Sequence, residues 1–277
     1  MLEKTLLERS YVPFSGQGSA CLIEGKKGFL YPGVRLEISS FPISISSVQA
    51  AVCSCLANQD EPVSVKWFGN KPELFDFWCD LFRLSEMKKQ AESLSLYDPM
   101  ISTSDPDILL QTLLDFAVTP ASDFPVSALL EIHVNDQTAW VPGVNVEPGP
   151  WSLGLCAERV AVSRALSAGY DPSGIMKIHA PKAEFSSPCG ACRQVLFETM
   201  PNYDLELFHG DGSRSRHTVF DLLPMSFLST SLQKDLRKNK PDHSCRDGNC
   251  SPLISRVHNG VALVEYPWLN RLNGHDL

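Results

Sequence analysis

The stretch Cys156-Ala157-Glu158-Arg159, followed later by Pro188-Cys189-Gly190-Ala191-Cys192-Arg193-Gln194, decides how this chain of 277 residues is interpreted. It supplies three cysteines and one carboxylate within a short section of chain. A Cys-x-x-Cys pair on a helix places its two sulfur atoms one turn apart, on the same face. A catalytic zinc site takes three protein ligands and leaves its fourth position open for water. We therefore predict a zinc centre whose ligands are Cys156, Cys189 and Cys192. Glu158 is placed to carry a proton beside the metal.

Both cysteine groups are predicted to lie at the N-termini of helices. Apolar residues recur at helical spacing between residues 156 and 169, and a second helix is predicted from Cys189 to residue 200. The macrodipole of a helix favours a thiolate at its N-terminus. The alternative is a structural zinc site, which would be closed by four protein ligands. The sequence near the three cysteines offers no fourth ligand, and Glu158 would have no role there, so the pattern favours a catalytic centre.

The elements around these helices alternate between strand and helix. Asn135 and Asp136 mark a turn between two apolar stretches, which predicts a hairpin. Ser104 or Asp105 can cap a helix that has Pro106 in its first turn. Alternating strands and helices imply a three-layer α/β domain. The predicted strands are 126–134, 138–146, 175–180, 205–208 and 217–219, and a further helix is predicted at 107–116.

The combined motif resembles the zinc-dependent nucleoside cytidine deaminases. A Cys-x-Glu element followed by Pro-Cys-x-x-Cys is the signature of the zinc deaminases, with Cys156 at the position where other branches have His. Residues 143–147 are similar to the ribose-binding strand of the family, and residues 221–227 are similar to its C-terminal segment. The resemblance covers residues 105–230. It implies hydrolytic deamination of cytidine or deoxycytidine to uridine or deoxyuridine, with release of ammonia, in pyrimidine salvage.

The resemblance also assigns residues to substrate binding. Asn145 and Glu147 lie two positions apart on a strand, so their side chains share one face, and the resemblance places them at the ribose hydroxyl. It places Phe124 and Phe227 against the pyrimidine ring, although either is equally compatible with an ordinary core aromatic. The backbone of Ala157 is expected to contact the base.

A zinc ion held by three thiolates has a net negative charge, which weakens its ability to acidify water. Arg159 is predicted to donate hydrogen bonds to the cysteine sulfur atoms and so to offset that charge; the alternative is an exposed helix arginine in a surface ion pair. In the implied mechanism the metal activates water for attack on C4 of the base. Glu158 takes the proton from that water, passes it to N3 and then helps the amino group to leave.

The first half of the chain resembles a degenerate copy of the second. At a fixed offset of 110 residues, 32–37 are similar to 142–147, and the helix patterns that follow also align. Ser46 and Val48 stand where the second copy has its first zinc ligand and its proton carrier, so the first copy is expected to be metal-free and inactive. We predict two tandem cytidine-deaminase-like α/β/α domains, each with a mixed sheet of about five strands. The predicted divisions are a degenerate domain at 1–90, a linker at 91–104, a catalytic domain at 105–230 and a C-terminal extension at 231–277.

The composition favours a cytoplasmic enzyme. Hydrophobic residues make up 43% of the chain and charged residues 20%, and no apolar run approaches the ~18 residues of a membrane span. The formal net charge of −8 argues against a nucleic-acid partner, and the basic run at 234–240 is expected to be a solvated face. Nine cysteines at irregular spacing favour reduced thiols over a disulfide framework, and residues 1–4 lack the features of a secretory signal. From the resemblance we expect a homodimer, that is, a pseudo-tetramer of four domains.

Several features leave other functions open. Ala121 stands where the family usually has an aromatic residue, and Pro-Gly-Pro-Trp at 148–151 replaces the usual run beside the ribose site. A deaminase of another small aminopyrimidine compound, such as a modified nucleoside or nucleoside antibiotic, is therefore an alternative, and a non-catalytic zinc scaffold is a second. A polynucleotide deaminase is disfavoured by the acidic charge and by Cys156. The tail contains a further group without familiar metal spacing, which we interpret as a loop with incidental cysteines: His243, Cys245, Cys250 and His258.

Overall fold

The computed structural model describes residues 2–88, 95–172, 174–224, 226, 257–258 and 261–262. The chain divides into two compact units, Met1–Lys234 and Asp235–Leu277. The larger unit contains two five-stranded sheets, one from each half of the sequence described above.

The first half forms a mixed sheet with three helices. Its strands are β1 (Ser19–Gly25), β2 (Phe29–Val34), β3 (Pro62–Gly69), β4 (Ser85–Glu86) and β5 (Ser95–Leu96), and its helices are α1 (Leu2–Glu8), α2 (Ser47–Leu56) and α3 (Phe75–Phe82). The strand order is β4-β3-β1-β2-β5. β1 pairs antiparallel with β2 and β3, whereas β4 and β5 pair parallel to their neighbours.

The second half builds a sheet of the same size. Its strands are β6 (Ser127–Val134), β7 (Gln137–Val144), β8 (Met176–His179), β9 (Asp204–Phe208) and β10 (Arg214–Thr218), and its helices are α4 (Pro106–Thr112), α5 (Ala157–Ala168), α6 (Gly190–Thr199) and α7 (Val219–Leu222). The strand order is β10-β9-β8-β6-β7, with β8 and β9 parallel and the other pairs antiparallel. Two mixed five-stranded sheets flanked by helices confirm the predicted α/β fold.

Local sequence signals account for the boundaries of these elements. Asn135 and Asp136 have φ values of 50° and 61°, which suit the two-residue turn that joins β6 to β7. The Asp105 side chain accepts a hydrogen bond from the backbone N–H of Ile108 at 3.0 Å and caps α4. Gly169, with φ 88°, ends α5 in the left-handed conformation that glycine adopts without steric cost.

Helices cover both faces of the second sheet, which gives the three-layer arrangement. Alternate residues of β6 point to opposite sides. Leu130 belongs to the large buried cluster that includes Val160 of α5 and Val195 of α6, whereas Leu129 packs in a smaller cluster with Leu110 of α4. The large cluster also contains residues of the first half, so the two halves share one hydrophobic core.

The two halves repeat one close contact between a strand and a helix. A Cβ atom at Gly33 of β2 would lie 2.2 Å from the carbonyl oxygen of Ser47, at the start of α2. A Cβ atom at Gly143 of β7 would lie 2.1 Å from the carbonyl oxygen of Ala157, at the start of α5. Gly143 and Ala157 lie 110 residues after Gly33 and Ser47, respectively. Each helix therefore starts against its strand at a distance that only glycine permits.

Three predicted boundaries differ from the structure. The predicted helix at 107–116 is α-helical to Thr112 and continues as a 3₁₀ turn, Leu113–Phe116. The predicted strand at 217–219 ends at Thr218, because the Thr218 hydroxyl accepts a hydrogen bond from the N–H of Asp221 and so begins α7. Within the range predicted as a linker, β5 pairs with β2, where its backbone groups gain hydrogen-bond partners.

In the second unit, the described residues form two short antiparallel strands, β11 (Val257–His258) and β12 (Val261–Ala262). His243, Cys245 and Cys250 of the tail, together with the side chain of His258, lie outside the described residues.

Candidate metal centre and active site

Three cysteine sulfur atoms converge where two helices begin. Cys156 is the N-cap residue of α5 and Cys189 is the N-cap residue of α6, with Cys192 one turn further along α6. The sulfur atom of Cys189 lies 3.7 Å from that of Cys156 and 3.5 Å from that of Cys192, and all three lie within 4.8 Å of one another. Sulfur ligands of a tetrahedral zinc ion, each about 2.3 Å from the metal, are separated by about 3.8 Å. The three sulfur atoms therefore have the spacing of a metal site.

The thiol groups alter one another's acidity. The hydrogen bond between Cys156 and Cys189 lowers the pKa of Cys189 and raises the pKa of Cys156. Contacts with its two neighbours also raise the pKa of Cys192, which is fully buried. A thiolate at the N-terminus of α6 is additionally favoured by the helix dipole. The arrangement thus favours a thiolate at Cys189, and the thiolate is the form of cysteine that binds a metal.

Glu158 lies beside the sulfur atoms in the first turn of α5. Its side chain is almost fully buried, with an exposed fraction of 3%, and its Oε2 atom has no hydrogen-bond partner. Burial raises the pKa of Glu158 above its ordinary value, because a carboxylate loses its hydration on leaving water. A buried carboxyl group with one unpartnered oxygen is able to exchange protons with a group bound at the metal position.

Arg159 is the basic residue next to this carboxylate. Its Nη2 atom donates to the carbonyl oxygen of Gly154 at 3.2 Å, and its buried Nε atom has no hydrogen-bond partner. Although burial alone would lower the pKa of Arg159, the attraction of Cys192 and Cys156 raises it above its ordinary value. The guanidinium therefore contributes positive charge next to the sulfur cluster.

Asn145 and Glu147 both contact the loop that leads into β6. The Asn145 amide oxygen accepts from the N–H of Val126 at 2.8 Å, and its amide nitrogen donates to the carbonyl oxygen of Phe124 at 2.9 Å. The Glu147 carboxylate accepts from the N–H groups of Ala121 and Ser122, at 3.0 and 3.1 Å, and from the Ser122 hydroxyl. Although burial would raise the pKa of Glu147, these hydrogen bonds hold it below its ordinary value. Glu147 is therefore held as an anion.

The remaining predicted site residues occupy different surroundings. Phe124 is half-buried in the loop before β6. Ala157 is fully buried as the first residue of α5, adjacent to Cys156. Phe227 lies outside the described residues.

Similarity to known proteins decides the family. A cytidine deaminase from Sporosarcina psychrophila is 38% identical over 120 residues, which make up 42% of this chain and 84% of that protein. The chain belongs to the cytidine deaminase family. A probable cytidine deaminase from Dictyostelium discoideum is 34% identical over 118 residues, 42% of this chain and 78% of that protein. A solved structure of cytidine deaminase from Burkholderia pseudomallei is 33% identical, covering 46% of this chain and 100% of that chain, with a TM-score of 0.40. No family model matches the chain.

The resemblance to the cytidine deaminases that the motifs indicate is thereby confirmed. Sequence reasoning missed two residues that support the site from the other half of the chain. Gln49 of α2 donates to the carbonyl oxygen of Leu153 at 3.0 Å and holds the turn that precedes Cys156. Ser54 accepts hydrogen bonds from the buried Arg164 of α5. The offset of 110 residues was the available signal, because Ser54 and Arg164 occupy equivalent positions in the two copies.

Among the helices of the described residues, none combines the length and the apolar character needed to span a membrane.

Proposed function

We propose that this member of the family is a zinc-dependent cytidine deaminase, which uses water to convert cytidine or deoxycytidine to uridine or deoxyuridine with release of ammonia. The observation that carries this proposal is the cluster of three sulfur atoms at the spacing of zinc ligands, with the Glu158 carboxyl group, one of whose oxygens has no partner, buried next to it. A structural zinc site would have no use for such a carboxylate.

The donor set fits zinc. Cys156, Cys189 and Cys192 would hold the ion, and thiolate ligands favour zinc over magnesium or calcium, which prefer oxygen. Three protein ligands leave one coordination position for a small molecule, as in catalytic sites. When bound, zinc lowers the pKa of water so that it reacts as a nucleophile near neutral pH.

Glu158 carries the protons of the reaction. Its burial beside the sulfur cluster places the carboxyl group to take a proton from water and to donate one to N3 of the pyrimidine. The same group then donates a proton to the exocyclic amine, which leaves as ammonia as the C4–N bond breaks. One water is consumed and one ammonia is released, so atoms and charge balance.

Arg159 offsets the charge of the sulfur ligands. Its guanidinium is attracted by Cys192 and Cys156, and a positive charge at that position reduces the electron density that three thiolates supply to the metal. Replacing Arg159 with Gln should therefore leave the metal bound but reduce turnover.

The sugar is bound at the end of β7. Asn145 and Glu147 present an amide and an anionic carboxylate next to the loop that contains Phe124, and a ribose hydroxyl needs an acceptor and a donor at fixed positions. We propose that this loop, with the backbone of Ala157, encloses the base. This subsite distinguishes nucleosides from free bases.

The decisive experiment measures the loss of cytidine absorbance in ultraviolet light together with the zinc content of the protein. Wild type should contain one zinc per chain and deaminate cytidine, whereas Glu158→Gln should remain folded and zinc-loaded but lose activity by a factor of at least about 10². A wild-type protein without bound metal would refute the proposal. Zinc-loaded wild type that does not act on cytidine would favour the other aminopyrimidine substrates suggested by the unusual residues 148–151.

We also propose that the first half is a catalytically inactive copy that packs against the active one, and that two chains associate in the cytoplasm as a homodimer of four such domains. The packing of the first half against the second is supported by the shared core and by the repeated contact at Gly33 and Gly143, whereas the dimer rests on the resemblance to the family. Light scattering should give twice the mass of one chain, and a monomeric species at micromolar concentration would refute the dimer.

A further inference from the structure

The first half retains a cavity at the position that corresponds to the active site of the second half. Its volume is about 480 Å³, within the usual range for sites that bind small molecules. At the offset of 110 residues, four of its lining residues correspond to Asn145, Glu147, Cys156 and Arg159. These four are Arg35, Glu37, Ser46 and Gln49.

The carboxylate of this cavity has the same hydrogen-bond environment as its counterpart in the second half. Glu37 accepts from the N–H groups of Phe14 and Ser15, both at 3.1 Å, and from the Ser15 hydroxyl. Glu147 accepts from two successive N–H groups and one serine hydroxyl in the same pattern. The first half therefore keeps the acceptor that we assign to the sugar, although it has lost the zinc ligands and the proton carrier.

The part of this cavity that corresponds to the sulfur cluster of the second half is lined by polar and aromatic side chains. Ser46 stands where the second half has Cys156, and Trp78 of α3 also lines the cavity. Phe14 lines the same cavity from the loop before β1. Its N–H donates to Glu37 as the N–H of Ala121 donates to Glu147, so Phe14 stands where the second half has Ala121. Aromatic side chains stack on the flat faces of ring ligands. The cavity has thus changed from a reaction site into one with more surface for binding a ring.

The charges that line the cavity balance. Arg35 pairs with Glu73 at 2.8 Å and with Glu37 at 3.3 Å, and Arg159 of the second half reaches the same cavity. Two arginines therefore face two glutamates, which favours a neutral ligand over a phosphate ester.

We propose that this cavity is a second nucleoside site, which binds a uridine-type product without converting it. A uracil ring is uncharged, planar and rich in carbonyl acceptors, and its ribose would engage Glu37 as the ribose of the substrate engages Glu147. Through that parallel the second site depends on the proposed function of the first. The bound nucleoside is not converted, because Ser46 and Val48 supply neither a zinc thiolate nor a proton carrier.

The test counts uridine molecules bound per chain by equilibrium dialysis of the zinc-loaded protein. Wild type should bind two equivalents. Phe14→Ala, which removes aromatic surface but keeps the backbone N–H, should weaken one of them by about tenfold. Leu74→Trp, which adds bulk to an exposed residue lining the cavity, should remove the same equivalent. Both variants should deaminate cytidine at the wild-type rate, and Phe29→Ala, an exposed phenylalanine of β2 outside the cavity lining, is the matched control that should retain both equivalents.

A variant of the other half separates the two proposals. Asn145→Ala should weaken the equivalent at the active site and leave the one that responds to Phe14→Ala. The second site would be overturned if wild type bound only one equivalent of uridine. It would also be overturned if Phe14→Ala and Leu74→Trp both bound two equivalents with wild-type affinity. Either result would count against it even if the protein deaminates cytidine. Displacement of the Phe14-dependent uridine by inorganic phosphate would also overturn it, because a neutral site should not bind phosphate in competition.

Discussion

Replacing Gly143 with Ala should destabilise the protein and disturb its metal centre. The new Cβ atom would lie 2.1 Å from the carbonyl oxygen of Ala157 and 2.6 Å from the backbone nitrogen of Ala161. Favourable contacts between carbon atoms and their neighbours lie near 3.5–4.0 Å, so α5 must move away from β7 by about 1 Å. Both contact atoms are backbone, and no side-chain rotation can relieve them.

The expected cost is at the upper end of that for overpacking a core, about 3 kcal/mol. Domains of this kind are stable by about 5–15 kcal/mol, so the variant should still fold. The displaced segment carries Cys156 and Glu158 on either side of Ala157, and a misplacement of about 1 Å can reduce turnover by about 10²-fold. We expect weaker zinc binding and loss of cytidine deamination in a protein that remains folded.

Two other glycines provide matched controls. A Cβ atom at Gly33 would lie 2.2 Å from the Ser47 oxygen and 2.4 Å from the Ala51 nitrogen, so Gly33→Ala should lose similar stability while keeping its zinc, because α2 carries no ligand. A Cβ atom at Gly190 would have no heavy atom within 4 Å. Gly190→Ala should therefore raise the unfolding free energy by up to about 1 kcal/mol, because alanine has the higher helix propensity.

The assays are urea unfolding followed by circular dichroism, zinc content, and the rate of cytidine deamination. Gly143→Ala that unfolds at the wild-type urea concentration would refute the argument from close approach. Equal loss of zinc from Gly143→Ala and Gly33→Ala would show that general destabilisation, rather than displacement of α5, controls the metal.

Three further outcomes follow from individual contacts. Burial would raise the pKa of Asp107, but hydrogen bonds from Lys177 and a neighbouring arginine lower it below its ordinary value of 3.8. Asp107 therefore contributes stability above that pH and loses it as the pH falls, so the difference in unfolding free energy between wild type and Asp107→Asn should shrink between pH 5 and pH 2. Arg164→Met should lower the unfolding free energy by about 3 kcal/mol, because it leaves two carbonyl oxygens, of Ser54 and Pro142, without their 2.8 Å donor; Ser54→Ala, which removes only the hydroxyl, should cost about 1 kcal/mol in the same urea titration. A zinc chelator should lower the melting temperature of wild type and Glu158→Gln equally, since both keep the sulfur ligands, and an unequal shift would mean that Glu158 binds the metal.

The elements that sequence predicts well are those specified by local signals. The start of α5 follows from apolar periodicity after Cys156, and the β6–β7 hairpin follows from Asn135 and Asp136, whose side chains tolerate positive φ. The convergence of the three sulfur atoms was predicted from motif spacing, and the structure brings them together at two helix starts.

Contacts between distant parts of the chain could not be predicted in the same way. Arg164 reaches Ser54 across 110 residues. The repeat marks the two positions as equivalent, but the residues around them do not indicate that their side chains are in contact. Asn145 and Glu147 were predicted to share a face toward the ribose. Their hydrogen bonds to the loop before β6 depend on the path of that loop, which turns and does not follow a periodic pattern.

The two halves differ in how well the first turn of the corresponding helix, α2 or α5, is stabilised. In the first half, the Ser46 hydroxyl accepts a hydrogen bond from the N–H of Gln49 at 3.3 Å and caps α2, whereas Cys156 makes no such bond to α5. Serine is among the best N-cap residues, and replacing such a cap typically costs about 1 kcal/mol.

The next turn shows the same contrast. Val48 is fully buried among apolar neighbours in the first half, where the second half buries the Glu158 carboxylate with one oxygen unpartnered. Burying an ionisable group without a full set of partners is unfavourable. The first half therefore has the better-capped and better-packed helix. The second half keeps the less stable arrangement, as the proposed reaction requires free sulfur and carboxylate groups at the helix start.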